Sequence, residues 1–194
     1  MLELRVATAD QWLKVVLDSF DDFLLDHAAC ERKASANALS LVTHYPDRRE
    51  LVRLMIELAR EELHHFQQVH RLVEDRGLVL TRDRKDPYLN ALLKRIRTGR
   101  EDYFLDRLLI AGIAEARGCE RFGLIATALE KPTADSELAA FYANLSESEA
   151  RHRDLFIDLA ELYFDKSTVG SRLSEMLDDE ARIVSELPID AALH

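Results

Sequence analysis

Six side chains with the chemistry of metal ligands recur at helical spacing in this chain. Each of four predicted helices places a glutamate on its apolar face, and in two of them a histidine follows three residues later. Residues three apart lie on the same side of an α-helix, so each Glu-x-x-His pair can bind one ion from one direction. Four carboxylates and two imidazoles form the ligand set of di-iron and di-manganese helical bundles. The predicted ligands are Glu31, Glu62, His65, Glu115, Glu149 and His152.

Helical register decides between two overlapping Glu-x-x-His pairs in the second predicted helix. The apolar stripe of that helix continues to Glu62 and His65, whereas Glu61 and His64 continue its polar side. Because one face of a helix recurs every three or four residues, only the first pair shares the face that points to a core. We therefore predict Glu62 and His65 as the ligands.

Two further side chains are candidates for hydrogen bonds to these ligands. Glu61 directly precedes Glu62, and an acid at this place could hold a ligand histidine in one orientation. The matching position in the fourth helix is Ser148, so the pattern is not repeated there. His27 lies one turn before Glu31 and is a candidate ligand or hydrogen-bond partner, although a buried structural histidine is the simpler alternative.

Four carboxylates on apolar faces favour a metal centre over a metal-free core. An unpaired carboxylate in a dry core costs several kcal/mol, whereas two divalent irons, four carboxylates and two neutral imidazoles sum to zero charge. Mixed oxygen and nitrogen ligation suits iron or manganese, while a structural zinc site would favour cysteine. The alternative is that the glutamates are solvated or protonated.

The elements that carry these residues are predicted to be helical. Leucine and alanine number 55, valine and isoleucine 18, and glycine and proline only ten, which favours helices over a turn-rich β fold. A length of 194 residues with 47% hydrophobic content suits a single domain, residues 1–194, with a substantial core. We predict an all-α four-helix bundle with one long crossover between helices 2 and 3, plus a C-terminal helix.

The apolar stripes and the helix-breaking residues set the expected boundaries. The predicted core helices cover about 11–44, 47–76, 100–130 and 134–164, with the crossover at 78–99 and the C-terminal helix at about 171–187. The first of these is either one long helix or a short helix followed by a main helix that begins near Asp21.

Charge is unevenly distributed along the chain. The whole chain carries −10, which argues against broad electrostatic binding to nucleic acid. Residues 71–100 contain nine basic and four acidic side chains and carry +5. This basic crossover could bind a polyanion locally, or it could be an ordinary solvated connection. The candidate contacts are Arg82, Arg84, Lys85, Lys94, Arg95, Arg97 and Arg100.

The first residues and the cysteines indicate the expected compartment. Residues 1–12 contain acidic side chains and lack the apolar stretch of a signal peptide, and no uncharged run approaches the ~18 apolar residues of a membrane-spanning helix. Cys30 and Cys119 are isolated, which is typical of a chain with reduced thiols. We expect a soluble cytoplasmic protein with no membrane partner.

Four segments resemble one known family. They are residues 26–35 (DHAACERKAS), 61–66 (EELHHF), 114–119 (AEARGC) and 148–153 (SEARHR). Together they are similar to the tRNA 2-methylthio-isopentenyladenosine hydroxylases, the MiaE family, and the resemblance runs from about Leu4 to Tyr163. It is more specific than the ligand pattern alone, which ferritins, rubrerythrins and manganese catalases share.

The resemblance implies a ferritin-like fold and a non-haem di-iron monooxygenase. Such an enzyme hydroxylates the isopentenyl side chain of the modified adenosine beside the anticodon of tRNA, with two iron ions, dioxygen and two electrons from a reductase or ferredoxin. By matching position, the same six residues would be the iron ligands. The resemblance also makes the basic crossover the candidate surface for tRNA phosphates.

Three other classes of protein remain open on the sequence alone. Another ferritin-like di-iron oxygenase, such as a ubiquinone-pathway hydroxylase, would need an apolar membrane-contact surface that the sequence does not clearly show. A ferritin-type iron oxidation or storage protein would form a large hollow shell. A metal-free structural bundle would bind no iron.

Overall fold

The chain is almost entirely helical in a computed structural model that describes residues 2–130 and 135–194. Within these ranges there is no β-strand. The helices of the described residues are α1 (Asp10–Asp18), α2 (Phe20–His44), α3 (Arg49–Asp75), α4 (Pro87–Leu93), α5 (Arg100–Leu129), α6 (Ser136–Tyr163) and α7 (Lys166–Glu186).

The helices fall into two compact units. The α2–α3 unit comprises residues 14–84 and 190–193, and the α5–α6 unit comprises residues 1–13, 85–189 and 194. The single domain expected from the chain length stays a prediction.

In the α2–α3 unit, two long helices pack against each other. Only residues 45–48 separate them, and such a short connection makes neighbouring helices antiparallel. Their shared interface is made of fully buried apolar side chains at three- and four-residue spacing, and the predicted glutamates lie on these same stripes. The fully buried members include Phe23, Leu24, Leu41, Leu51, Met55 and Val69.

The first predicted helix is divided near residue 19. Ser19 leaves helical geometry with φ −130° and ψ 47°, so α1 ends at Asp18 and α2 begins at Phe20. The structure therefore contains the short helix followed by a main helix, one residue before the start expected near Asp21.

In the α5–α6 unit, α5 packs along α6, and α7 packs against α4, α5 and α6. The predicted start of the fourth helix at residue 134 lies outside the described residues. The structure describes α6 from Ser136, and the preceding Asp135 accepts hydrogen bonds from the backbone N–H groups of Glu137 and Leu138.

α7 begins at Lys166, five residues before the expected position. Its polar first turn conceals the helix in the sequence, although Val169 within it is buried.

A buried carboxylate connects the end of the crossover to α5 and α7. Asp106 of α5 is fully buried and accepts hydrogen bonds from the backbone N–H of Arg97 at 2.8 Å and from its guanidinium at 2.8 Å. Arg172 of α7 donates to the same carboxylate at 2.9 and 3.0 Å. Burial would raise the pKa of Asp106, but the hydrogen bonds from Arg97 and Arg172 outweigh it and lower the pKa.

We expect Asp106→Ala to lower the free energy of unfolding at pH 7 by about 3 kcal/mol, because Arg97 and Arg172 would lose the buried carboxylate to which both donate hydrogen bonds. The pKa of Asp106 is lowered in the folded state, so its contribution is complete above the ordinary carboxyl pKa and is lost as the pH falls through the lowered value. Urea unfolding of the wild type and the variant between pH 7 and pH 3 measures this difference.

Asp102→Ala is the matched control, since Asp102 is mostly exposed and binds the same Arg97 at 3.0 Å. An exposed ion pair contributes only about 0–1 kcal/mol. Equal losses in the two variants would contradict the role assigned to Asp106.

Candidate metal centre

Three of the predicted ligands come together in the α2–α3 unit. Glu31, Glu62 and His65 are all buried, and one ligand atom of each lies within 4.8 Å of the others. The Nδ1 atom of His65 is 3.3 Å from Glu62 Oε2 and 3.6 Å from Glu31 Oε2. The first contact is the three-residue neighbour on one helix, and the second is made across the α2–α3 interface. The register that selected Glu62 and His65 agrees with the burial, since Glu61 is only partly buried and His64 is exposed.

His27 is a hydrogen-bond partner of Glu31. It is fully buried, and its Nε2 atom lies 2.7 Å from Glu31 Oε1, one helical turn away. Burial would raise the pKa of Glu31, but the hydrogen bond from His27 and the nearby imidazole of His65 outweigh it and hold this pKa well below its usual range. Glu31 is therefore a carboxylate with one oxygen facing His27 and the other facing His65.

The pKa of His65 is raised by the two carboxylates beside it. Burial alone would lower the pKa of His65, but the close contacts with the negatively charged Glu31 and Glu62 raise it to about 9. At pH 7 and without metal, the imidazole of His65 is therefore protonated, whereas it must be neutral to bind a metal ion.

The other three predicted ligands come together in the α5–α6 unit. Ligand atoms of Glu115, Glu149 and His152 lie within 4.8 Å of one another, and the Nδ1 atom of His152 is 3.6 Å from Glu149 Oε2. Glu149 and His152 are buried, while Glu115 is partly exposed. Gly118 of α5 lies beside this group, since a Cβ atom there would meet Glu149 Cγ at 3.8 Å.

Each unit therefore offers the same donor set of two carboxylates and one imidazole. Buried carboxylates need positive charge close by, and oxygen and imidazole donors are typical ligands of iron and manganese. The chemistry of these buried clusters fits a di-iron site.

The candidate tRNA contacts of the crossover differ in their surroundings. Arg97 is bound to Asp106 and to Asp102. Arg84 lies 3.8 Å from Asp22, Arg95 lies 3.9 Å from Asp179, and Arg100 is the exposed first residue of α5. The remaining three are exposed and form no ion pair with any other described residue: Arg82, Lys85 and Lys94.

The sequence interpretation missed a buried ionic cluster around Arg117 and Glu180, both of which are fully buried. A signal for Glu180 was present, because it lies four residues after Met176 and three before Ile183 on the buried stripe of α7. Applied to the last helix, the register argument that selected Glu62 would have found it.

The sequence matches proteins with a named activity along nearly its whole length. The family model described as tRNA-(MS[2]IO[6]A)-hydroxylase (MiaE) matches residues 2–194. A Pseudomonas putida protein named tRNA 2-(methylsulfanyl)-N(6)-isopentenyladenosine(37) hydroxylase is 36% identical over 95% of this chain and 93% of its own length. A Salmonella typhimurium protein of the same name is 35% identical over 70% of this chain and 48% of its own length.

A solved structure shares the fold. It is described as Protein 43 with aldehyde deformylating oxygenase activity from Synechococcus, and it matches with a TM-score of 0.90 and 33% identity over 98% of this chain and 94% of its own. This likeness confirms the predicted all-α, ferritin-like fold class. In the part of the chain that the structure describes, no helix is long and apolar enough to cross a membrane.

We expect metal binding to release about one proton from His65 at pH 7, because its pKa is about 9 without metal and the bound imidazole must be neutral. The release should decline as the pH rises through 9. Calorimetric titration with Co²⁺, in buffers of different ionisation enthalpy between pH 7 and pH 10, measures the number of protons released.

His64→Gln is the control for this titration, since His64 neighbours His65 but is exposed. The control should release as many protons as the wild type. A proton count that is constant from pH 7 to pH 10 in the wild type would contradict the account of His65.

Proposed function

The chain belongs to the MiaE family of tRNA hydroxylases, and we propose that it hydroxylates the isopentenyl side chain of 2-methylthio-isopentenyladenosine in tRNA. The observation that carries this conclusion is the match to the family over residues 2–194. Two buried clusters of glutamate and histidine, at positions expected for metal ligands, support it.

The proposed cofactor is a pair of iron ions. Its ligands would be the three residues of each unit: Glu31, Glu62, His65, Glu115, Glu149 and His152. Two divalent irons would balance the four carboxylates, which removes the cost of burying unpaired charges. When bound, the iron pair supplies activation of dioxygen, which the reaction needs because an allylic C–H bond is inert to acidic and basic side chains.

The protein's own residues orient the ligands and limit access by water. His27 holds one oxygen of Glu31 and leaves the other directed at His65. Such hydrogen bonds to ligands fix their orientation, and mutation of these partners typically weakens metal binding. Five of the six ligands are buried, so bulk water has little access to them.

The proposed partners are tRNA and an electron donor. Hydroxylation by dioxygen needs two electrons, and a reductase or ferredoxin is the class of protein that supplies them. For tRNA, the exposed cations Arg82, Lys85 and Lys94 are the best candidates for phosphate contacts. Arg97 is the poorest candidate, because its guanidinium is already bound by Asp106 and Asp102.

A second candidate activity is the deformylation of aldehydes. The observation that favours it is the 33% identity and TM-score of 0.90 with the Synechococcus protein that has aldehyde deformylating oxygenase activity. Both activities would use the same buried donor set, so only the substrate separates them.

We expect the reduced, iron-loaded protein to add one oxygen atom to prenylated tRNA in the presence of dioxygen. Mass spectrometry of the modified nucleoside detects the gain, and a parallel reaction with an aldehyde is assayed for formate. His152→Ala should reduce turnover by at least about tenfold because an iron ligand is lost. His64→Gln, a matched change at an exposed histidine, should be active.

The two substrates give separate outcomes. Formate release without any mass gain on tRNA would favour the second candidate. Neither product from protein that carries two irons would overturn both.

We expect replacement of Arg82, Lys85 and Lys94 by glutamine to weaken tRNA binding and to reduce the slope of log Kd against log salt by about 2 to 3, since each lost phosphate contact removes about one counterion. The control replaces three exposed cations outside the crossover: Lys14, Arg49 and Arg60. Binding measured by fluorescence anisotropy from low to physiological salt separates the two variants. The crossover is not the tRNA surface if both bind alike.

A further inference from the structure

A fully buried arginine in the α5–α6 unit has a partner for each of its N–H groups. In Arg117, Nε and Nη2 donate to Glu180 Oε1 at 3.0 and 2.7 Å. Nη1 donates to Glu120 Oε2 at 2.5 Å and to Thr8 Oγ1 at 3.1 Å, and Nη2 also donates to the backbone oxygen of Val6 at 3.1 Å. A guanidinium has five N–H donors in a rigid plane, and here all five are bound.

The surroundings of Arg117 complete a neutral cluster. Tyr88 of α4 donates its hydroxyl to Glu180 Oε1 at 3.1 Å, and Thr8 donates its hydroxyl to Glu120 at 2.7 Å. Arg121 donates to Thr8 Oγ1 at 3.3 Å, and its guanidinium lies 4.8 Å from the centre of the Trp12 ring. Two arginines thus face two glutamates, and the first residues of the chain, α4, α5 and α7 all meet at this point.

The cluster lies on the side of α5 opposite to Glu115. Two residues along a helix correspond to about 200° of rotation, so Arg117 and Glu115 project from opposite sides of α5. Glu115 has ligand atoms within 4.8 Å of those of Glu149 and His152 on α6. At roughly 6 Å from the helix axis, a 10° rotation of α5 would move its carboxylate by about 1 Å, which is enough to disturb ligand geometry.

We propose that Arg117 and Glu180 are positioning residues for Glu115. Their buried ion pair sets the rotation of α5 about its axis, and through it the direction of the Glu115 carboxylate toward Glu149 and His152. α7 carries Glu180, so the last helix acts on the metal centre without supplying a ligand. This inference rests on the proposed di-iron function.

A second buried ion pair between α5 and α7 provides the comparison. Arg172 of α7 binds Asp106 of α5 at 2.9 Å, and Asp106 is also fully buried. Asp106 lies nine residues before Glu115, which is about 13.5 Å along the helix. Loss of either pair loosens α7, but only the Arg117 pair lies within the helical turn that carries the ligand.

The test is Co²⁺ titration followed by the visible absorption bands of the bound ion, which report its coordination geometry. We expect the wild type to bind two ions per chain. In Glu180→Gln one of the two ions should bind about tenfold more weakly, with shifted bands, because a partner that orients a ligand has been altered. Arg172→Met should bind both ions with unchanged bands at a temperature where circular dichroism shows every variant to be folded.

A double variant keeps the test valid if Glu180→Gln does not fold. Replacing both members of a buried ion pair by apolar side chains is often tolerated, so Arg117→Met with Glu180→Met should fold and show the same spectral change.

The possible results separate the two proposals. A wild type that does not bind two ions overturns the proposed metal centre. A wild type that binds two ions, with unchanged bands in the Glu180 variants, overturns the positioning role alone. Equal band shifts in Arg172→Met would show that any loosening of α7 has this effect, and would also overturn it.

Discussion

Carboxylates inside helix pairs are the feature on which the rest of this structure depends. A buried carboxylate is stable only when positive charge or hydrogen-bond donors surround it. In the α2–α3 unit, His27 forms a hydrogen bond with Glu31 and His65 lies beside it, and together they hold the pKa of Glu31 well below the usual range. The apolar stripes of the long helices place these groups together, so the positions of the glutamates and histidines follow from the packing.

The same constraint organises the other unit on both sides of α5. One side carries Glu115 beside Glu149 and His152, and the opposite side carries Arg117 in a neutral cluster with Glu180. The buried ion pair of Arg117 and Glu180 restricts the rotation of α5, because any shift would separate a buried charge from its partner. α7 belongs to this arrangement, because it carries the Glu180 that binds Arg117.

Register in the long helices could be predicted from the sequence, while their interruptions were only partly predictable. The choice of Glu62 and His65 over Glu61 and His64 agrees with the burial, because the 3.6-residue period is a local property of the chain. The early start of α7 escaped prediction, and the break at Ser19 was only one of two alternatives that the sequence left open. Both depend on which short segments find a packing partner, as Val169 does in the first turn of α7.

The sequence by itself determined which residues carry ligand chemistry and which helix faces they occupy, since both follow from residue type and spacing of three or four positions. Only the tertiary structure decided which charged side chains form ion pairs with one another. Arg172 binds Asp106, 66 residues away, and Arg117 binds residues as distant as Thr8 and Glu180. Such pairs join segments far apart in the chain, so they depend on how the helices pack, and no local pattern encodes them.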